Sequence, residues 1–323
     1  MSKLTGKSVL ITGGTGTIRQ GLVRAIIDQP HHHWPKKLTM PSRDEFKQYE
    51  SQKRFPSEHI PLIEYTLADV SDYDTVLDSI TDVDVIIHTA ALKRKEFGEV
   101  TPEAFFKTNV IGTTNVLRAA KKQKSSTVVT ISTDKAVDTS TLYGATKLCA
   151  EKNTLYRNDS ASVIGLDNVF GSRGSIVNEL KKCSSTKEIV ITHPDMARFS
   201  TTITQASSYI LGALDSAIGG EIFIPKMKAY RLTDLLSVVH HNTEYSFSSP
   251  RYTEKLHKSL FSAEEVRFDL ERDHDCVICT NKSVQQYYYK NKGATEASLK
   301  EYTSKLSPFL SRVGLQRLLT NPS

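Results

Sequence analysis

The chain reads as an α/β protein built on a doubly wound parallel sheet. Three observations predict this. Apolar strand-like runs recur along the first half, unbroken by polar alternation: SVLIT, KLTMP, IPLIEYTL, VDVIIHTAA, STVVTISTD and ASVIGLDNV. Longer amphipathic stretches lie between several of them, such as EAFFKTNVIGTTNVLRAAKKQ and LYGATKLCAEKNTLYRN. A glycine-rich turn, GGTGTIRQG, follows the first run and opens a helix. Strands that are apolar throughout are covered on both faces, and strand–helix alternation covers a parallel sheet in that way.

The turn after the first strand contains Gly13 and Gly16, with Thr15, Thr17 and Ile18 around them. Glycine permits a tight turn and lets the backbone approach a phosphate. The helix that follows offers free N–H groups and a positive dipole end. This is the Rossmann-type seat of a dinucleotide pyrophosphate. Arg19 stands where the usual spacing has a third glycine. An unpaired guanidinium is costly between helix and sheet, so Arg19 is expected to point to solvent or to the phosphates. Gly21 is expected to restore some of the close helix–strand packing. After the second strand, Ser42 and Arg43 sit where an adenosine ribose would lie, and Arg43 suits a 2′-phosphate. Asp69 and Val70 close the third strand within reach of an adenine. From about residue 166 the pattern loosens. Residues 1–165 are expected to form the dinucleotide-binding domain, joined by some later segments. Residues 166–323 are expected to form a smaller C-terminal substrate-binding lobe, with strands at GGEIFIPKM and EEVRFDLE. The tail from Lys282 is expected to pack as a short surface helix.

Composition excludes several classes. The chain has 323 residues, 38% hydrophobic and 24% charged, as in soluble globular proteins. A net charge of +6 without a dense Lys/Arg block does not point to nucleic acid. No apolar run spans a bilayer and no signal-type stretch precedes the first strand, so a cytoplasmic protein is expected. Cys276 and Cys279 form a C-x-x-C, but DCVICT reads as a buried strand whose residues three apart face opposite ways. They are expected to be core residues. The HHHW at His31 to Trp34 is expected to be a solvated loop, and no metal site is anticipated.

The chemistry is concentrated in ISTDKAVDTSTLYGATK. Tyr143 and Lys147 are four residues apart and share one helical face. A lysine ammonium beside a phenol lowers its pKa, so that Tyr143 can take a proton from a hydroxyl during hydride transfer. The same lysine can bind a nicotinamide ribose. Downstream of a glycine turn, this pairing is specific.

The segments SRDEFKQ, IHTAALK, TNVIGTTNV, STDKA, YGATK, GSRGS, HPDMARF, GGEIFIPKM and EKLH recur here in order. With them the chain resembles the extended short-chain dehydrogenases/reductases, and more narrowly the nucleotide-sugar 4,6-dehydratases that act on UDP-N-acetylglucosamine and invert C5. The resemblance covers nearly the whole length. It implies bound NADP, a UDP-sugar substrate and a homo-oligomer, dimer or hexamer. It singles out Thr133, Asp134 and Lys135. Lys135 is the implied C5 base, which requires a lowered pKa, and Asp134 the implied acid at C6, which requires a raised one. It assigns Ala90, Ala91, Lys93 and Asn109 to the cofactor, and Lys93 also to the region near the sugar. Asn168, Arg173, Arg198, Lys226, Arg251 and Glu254 are the implied holders of the UDP-sugar. The chain departs from the family at Gly165, Leu166 and Asp167, at Ser200, and at Tyr252 and Thr253. Two alternatives stand beside the dehydratase: a UDP-sugar 4-epimerase, and a non-catalytic protein that binds NADP or a nucleotide sugar.

Overall fold

The computed structural model describes residues 2–13, 16–55, 62–125, 127–157, 159–167, 169–172, 175–182, 189–239, 245–248, 255–262 and 269–320. Strand and helix alternate as β1 (Ser8–Ile11), α1 (Thr17–Ile27), β2 (Lys37–Ser42), α2 (Glu45–Gln52), β3 (Ile63–Leu67), α3 (Tyr73–Ser79) and β4 (Val85–His88). Next come α4 (Lys95–Val100), α5 (Pro102–Phe105), α6 (Gly112–Lys122), β5 (Thr127–Thr133), α7 (Leu142–Arg157) and β6 (Ala161–Leu166). A π-helical stretch, Phe106–Ile111, joins α5 to α6. Beyond β6 lie α8 (Ile176–Lys182), β7 (Ile189–Ile191), β8 (Ala197–Ser200), α9 (Ile203–Ser216), β9 (Glu221–Pro225), β10 (Lys228–Arg231) and α10 (Leu232–Val239). The chain continues through β11 (Tyr245–Phe247), β12 (Ser259–Phe261), β13 (Asp269–Glu271), β14 (Asp275–Cys279), α11 (Lys282–Asn291), β15 (Thr295–Glu296), β16 (Tyr302–Thr303) and α12 (Arg312–Thr320).

The main sheet runs β15-β13-β14-β9-β6-β5-β4-β1-β2-β3. From β3 to β9 it is parallel, and β14, β13 and β15 add an antiparallel edge. The fold is the doubly wound α/β type. Period-two alternation explains its layers. Val9 and Ile11 face a core with Leu22 and Ile26 of α1 and Ile210 of α9. Leu10 and Ile86 face the other side, against Val116 and Ala120 of α6. Apart from the main sheet, β8 pairs with β10, and Leu315 of α12 joins Phe170, Tyr230 and Leu235 in a further apolar cluster. Cys276 and Cys279 are buried on opposite faces of β14, in different clusters, and burial pushes both thiols up to about 12. No helix among the described residues is long and apolar enough to cross a membrane.

The tail ends in the expected short surface helix, α12, of which only Leu315 is buried, but its earlier part is more deeply built in. Tyr288 of α11 is fully buried, and its one hydroxyl proton lies between two acceptors, the Ser216 carbonyl at 3.0 Å and Glu221 Oε1 at 3.1 Å. Tyr302 of β16 lies 5.1 Å from the Phe199 ring. These tyrosines are amphipathic enough to fill a core and still find a partner, which a polarity scan of the tail overlooks.

Arg19 corrects an expectation. It is 1% exposed and points neither to solvent nor to a phosphate site. Its Cζ lies 5.9 Å from the Tyr65 ring centroid, and Nη2 donates to Ser51 Oγ at 3.4 Å. Nη1 has no hydrogen-bond partner among the described residues. Burial lowers the guanidinium pKa to about 10. The residues that receive it come from α2 and β3, so the start of α1 alone did not reveal them. Gly21 also differs from expectation, since a Cβ there would lie 2.4 Å from Ile203 Cγ1 and 2.5 Å from Ser207 Oγ. The close approach it permits is between α1 and α9.

At the end of β4, His88 is fully enclosed. Thr12 Oγ1 accepts from Thr89 N at 3.1 Å and Ala90 N at 3.2 Å, so its own proton goes to His88 Nδ1 at 2.8 Å. That choice assigns the remaining proton to Nε2, which meets Thr113 Oγ1 at 3.0 Å. Thr113 in turn donates to the Asn109 carbonyl at 2.7 Å. Burial, and then the Lys147 charge, push the His88 pKa down from 6.5 to about 3.

Two outcomes are expected. Arg19→Met keeps the long apolar stem and removes an unpaired buried N–H. Its stability in urea should match the parent or exceed it by about 1 kcal/mol, and a loss above about 2 kcal/mol would show that the guanidinium is net stabilising. His88 takes its proton only on unfolding across the interval from pH 6.5 to about 3. Stability should therefore fall as pH drops below 6.5, by about 1.4 kcal/mol per pH unit from this residue. Denaturation series on the parent and on His88→Gln should differ in that slope, and equal slopes would refute it.

Candidate active site

A cleft of about 650 Å³ opens at the carboxyl ends of the parallel strands. Open α/β sheets bind ligands there, where the strand order reverses, and here the reversal lies between β1 and β4. The glycine turn supplies Gly13, Gly16, Thr17 and Ile18 to the wall. Gly13 has φ +109°, and a Cβ on it would lie 2.2 Å from Thr89 Oγ1, so no other residue fits unstrained. Gly16 N donates to the Gly13 carbonyl at 3.3 Å and opens α1. This bare backbone beside a helix N-terminus fits a diphosphate.

Ser42 and Arg43 line the cleft beyond β2, and Asp69 and Val70 beyond β3. Asp44 caps α2 by accepting from Lys47 N at 2.9 Å, and its other oxygen holds Lys47 Nζ at 2.5 Å. Its carboxylate is thus committed to Lys47. Arg43 is well exposed, with Nη1 3.5 Å from Asp69 Oδ2. Two basic side chains, Arg43 and Lys47, therefore border this end of the cleft.

Ala90, Ala91 and Lys93 line the wall after β4. Asn109 lies behind them, buried in the π-helical stretch. It accepts from Leu92 N at 2.8 Å and donates to the Leu92 carbonyl and to Thr146 Oγ1, both at 3.0 Å. Its role is to hold the wall in place.

The strand β5 ends at Thr133, followed by a single turn of 3-10 helix, Asp134–Ala136. Thr133, Lys135, Tyr143 and Lys147 line the cleft. Asp134 does not, being 2% exposed behind them. Its Oδ1 accepts from Thr133 Oγ1 and from Lys135 Nζ, each at 2.9 Å. Its Oδ2 lies 3.4 Å from Lys258 Nζ. Burial alone would raise the Asp134 pKa, but Lys135 and then Lys258 outweigh it, and Asp134 stays a carboxylate. Burial would lower the Lys135 pKa, but Asp134 first, then Asp167 and Tyr143, carry it above the ordinary lysine value. Both directions are opposite to those expected for an acid at Asp134 and a base at Lys135. The reason is mutual: the two groups form an ion pair in this state, and each stabilises the other's charge.

Tyr143 also departs from expectation. Burial raises its pKa, and the Lys135 charge offsets part of the rise. Lys147 does not act on the phenol here, because its ammonium donates to the Ile131 carbonyl at 2.7 Å. Burial lowers the Lys147 pKa to about 8, against an opposing pull from Glu151.

The implied substrate residues divide. Lys93 is on the wall. Arg198 and Lys226 are not. Arg198 Nη1 donates to the Ala197 carbonyl at 2.7 Å and the Leu256 carbonyl at 3.1 Å. Lys226 Nζ donates to the Arg272 carbonyl at 2.6 Å and pairs with Glu271 at 2.8 Å. Arg198 thus joins the start of β8 to the segment at Leu256, and Lys226 is held at the end of β13. Thr15, Asn168, Arg173, Arg251 and Glu254 lie outside the described residues. The structure adds Asp167, Ser172 and Ser175 to the wall, and Lys258 behind Asp134. Asp167 was visible in the sequence only as a departure, and Lys258 only as the residue after EKLH.

Residues 9–280 match the model of a family described as polysaccharide biosynthesis protein. The UDP-N-acetylglucosamine 4,6-dehydratase (inverting) of Campylobacter jejuni subsp. jejuni serotype O:2 is 34% identical over 274 residues, 82% of this chain and 80% of that one. The UDP-glucose 4-epimerase of Rickettsia bellii is 30% identical over 332 residues, 98% of this chain and 96% of that one. The X-ray structure of Pen from Bacillus thuringiensis superimposes with a TM-score of 0.87 at 29% identity and covers 99% of each chain. With the matched model spanning most of its length and the glycine turn and Tyr143 in one cleft, this chain belongs to the polysaccharide biosynthesis protein family.

Proposed function

We propose that the protein is a nucleotide-sugar 4,6-dehydratase that acts on UDP-N-acetylglucosamine with inversion at C5, and that it uses NADP. The observation that carries this reading is Lys135, a cleft-lining lysine paired with Asp134 directly after β5 and facing the same cleft as Tyr143. A 4-epimerase has no use for a second base at that place. The likeness to the Campylobacter dehydratase supports the substrate. The exposed Phe97, Val100 and Phe106 support assembly of identical subunits.

A nicotinamide dinucleotide, which Gly13, Gly16, Arg43 and Lys147 would hold in this cleft, would supply the hydride acceptor needed at C4 and the hydride donor needed at C6. Tyr143, as the phenolate that the nearby Lys135 charge favours, receives the proton of the C4 hydroxyl. The new carbonyl makes the C5 proton acidic, and neutral Lys135 takes it. The electron pair released at C5 expels the C6 hydroxyl, which must gain a proton to leave as water. Asp134 is held as a carboxylate behind the wall, so the cleft-facing donor is the ammonium that Lys135 has become. The C5 proton and the C6 hydroxyl then depart together as water. Asp134 is the fixed counter-charge. A proton from solvent, delivered to C5 from the opposite face, inverts it and balances the one that Tyr143 took from the C4 hydroxyl. Burial of the whole cluster keeps these charges strong. For the cofactor, Arg43 and Lys47 suit a 2′-phosphate, while Asp44 is tied to Lys47 and cannot readily take a ribose hydroxyl.

Incubation with UDP-N-acetylglucosamine should yield a product lighter by one water. A product of unchanged mass and altered retention would instead favour the 4-epimerase, the activity named for the Rickettsia relative.

Two variants probe the residues. Arg43→Ala should weaken NADP binding at least tenfold, about 1.4 kcal/mol, and NAD binding far less, and equal losses by calorimetry would remove Arg43 from the 2′-phosphate site. Lys135→Met should stop C5 deuterium incorporation from heavy water while the variant still oxidises C4. Dehydration at the parental rate would show that another group is the base.

A further inference from the structure

Lys258 has no place in the chemistry described so far, yet it reaches the elimination centre from the carboxy-terminal part of the chain. Its backbone is fixed: Lys258 N donates to Ser304 Oγ at 2.9 Å, and Ser304 N donates to the Lys258 carbonyl at 2.8 Å. Lys255, one turn of chain earlier, donates from Nζ to the Val137 carbonyl at 2.7 Å. The segment thus lies across the 3-10 turn that carries Asp134 and Lys135. The Lys258 side chain is 14% exposed and Asp134 is 1% exposed, so their 3.4 Å contact is shielded from solvent. Lys258 does not line the cleft.

We propose that Lys258 is a positioning residue of the elimination centre, which holds Asp134 from behind as a carboxylate and competes with Lys135 for its charge. This rests on the dehydratase reading for its catalytic consequence, although the electrostatic relation can be tested without turnover. One carboxylate serves two ammonium groups. The charged and titratable groups facing Lys258 are Asp134, Lys135, Arg198 and Asp167. Those facing Lys135 are Asp134, Asp167 and Tyr143, with Lys258 across the shared Asp134 carboxylate. Burial lowers the Lys258 pKa and Asp134 opposes that fall. With Lys258 charged, Asp134 is shared and Lys135 feels a nearby like charge. Lys135 then releases its resting proton at lower pH than it would with Asp134 to itself. Since Lys135 must be neutral to take the C5 proton, the rate rises with pH through its pKa. Loss of the Lys258 charge moves that rise to higher pH.

The test uses Lys258→Gln and Lys258→Met, both neutral, with Lys258→Arg as the conservative rescue. Each is first checked for cooperative melting, and the glutamine can still donate to Asp134. In kcat against pH with UDP-N-acetylglucosamine, the rising limb should move up by about one pH unit in the neutral variants and stay in place in Lys258→Arg. In parallel, competitive acetylation of Lys135 without substrate, read by mass spectrometry, should shift in the same sense. Coincident acetylation curves in parent and neutral variants would overturn the proposal, as would an arginine variant shifted as far as glutamine. If the parent does not dehydrate the sugar, the dehydratase reading falls while the acetylation curves still decide the role of Lys258.

Discussion

An uncharged imidazole in the floor of the cleft joins the two halves of the sheet. His88 ends β4, and Thr12 follows β1, the neighbouring strand across which the chain reverses its winding. Their hydrogen bond keeps the two strand ends together while α1 leaves toward one face and α6 covers the other. From His88 the chain of bonds continues to Thr113 and the Asn109 carbonyl, and the Asn109 side chain clamps Leu92 and Thr146. The glycine turn, the wall after β4 and the helix that carries Tyr143 are thus held by one buried polar network. Such networks are stable only when every member is satisfied, and a second proton on His88 would leave Thr12 without its acceptor.

Charge is distributed around this floor with equal economy. Lys147 is spent on the Ile131 carbonyl, Asp44 on Lys47, and Asp134 on two lysines. Six basic side chains, Arg43, Lys47, Lys93, Arg94, Lys135 and Lys147, line the cleft against four acidic ones, Asp44, Asp69, Glu96 and Asp167, an excess that suits a ligand with several phosphates. A buried ion pair adds little net stability, but removing one partner leaves an uncompensated charge. The Asp134 cluster accordingly defines how the site is charged more than how firmly the chain folds. Because Lys258 comes from β12's approach and Asp134 from the end of β5, the charge state of the centre depends on both parts of the chain being in place.

Much of the fold could be read locally. The runs from SVLIT to ASVIGLDNV form β1 to β6, and in all but β3, the half-exposed edge strand, continuous apolar character marks a strand covered on both sides. DCVICT is a buried strand with its cysteines on opposite faces for the same periodic reason. Tail residues such as Tyr288 and Tyr302 were illegible, since each looks polar in its own segment and becomes core only against Glu221, Met227 or Phe199 from far along the chain.

The sequence by itself determined the alternation of strand and helix, the glycine turn and the placing of Tyr143, Lys147 and Lys135 after one strand. These follow from spacing along the backbone, which is a local property. Only the tertiary structure decided which way the charged side chains face. Arg19 is enclosed because Tyr65 and Ser51 arrive from elsewhere, and Arg198 and Lys226 bond carbonyls at Leu256 and Arg272, far along the chain. Asp134 is a carboxylate because its neighbour Lys135, and then Lys258 from more than a hundred residues away, outweigh its burial. A side chain's charge and direction are set by whichever distant groups desolvate or pair with it, and those neighbours exist only once the chain has folded.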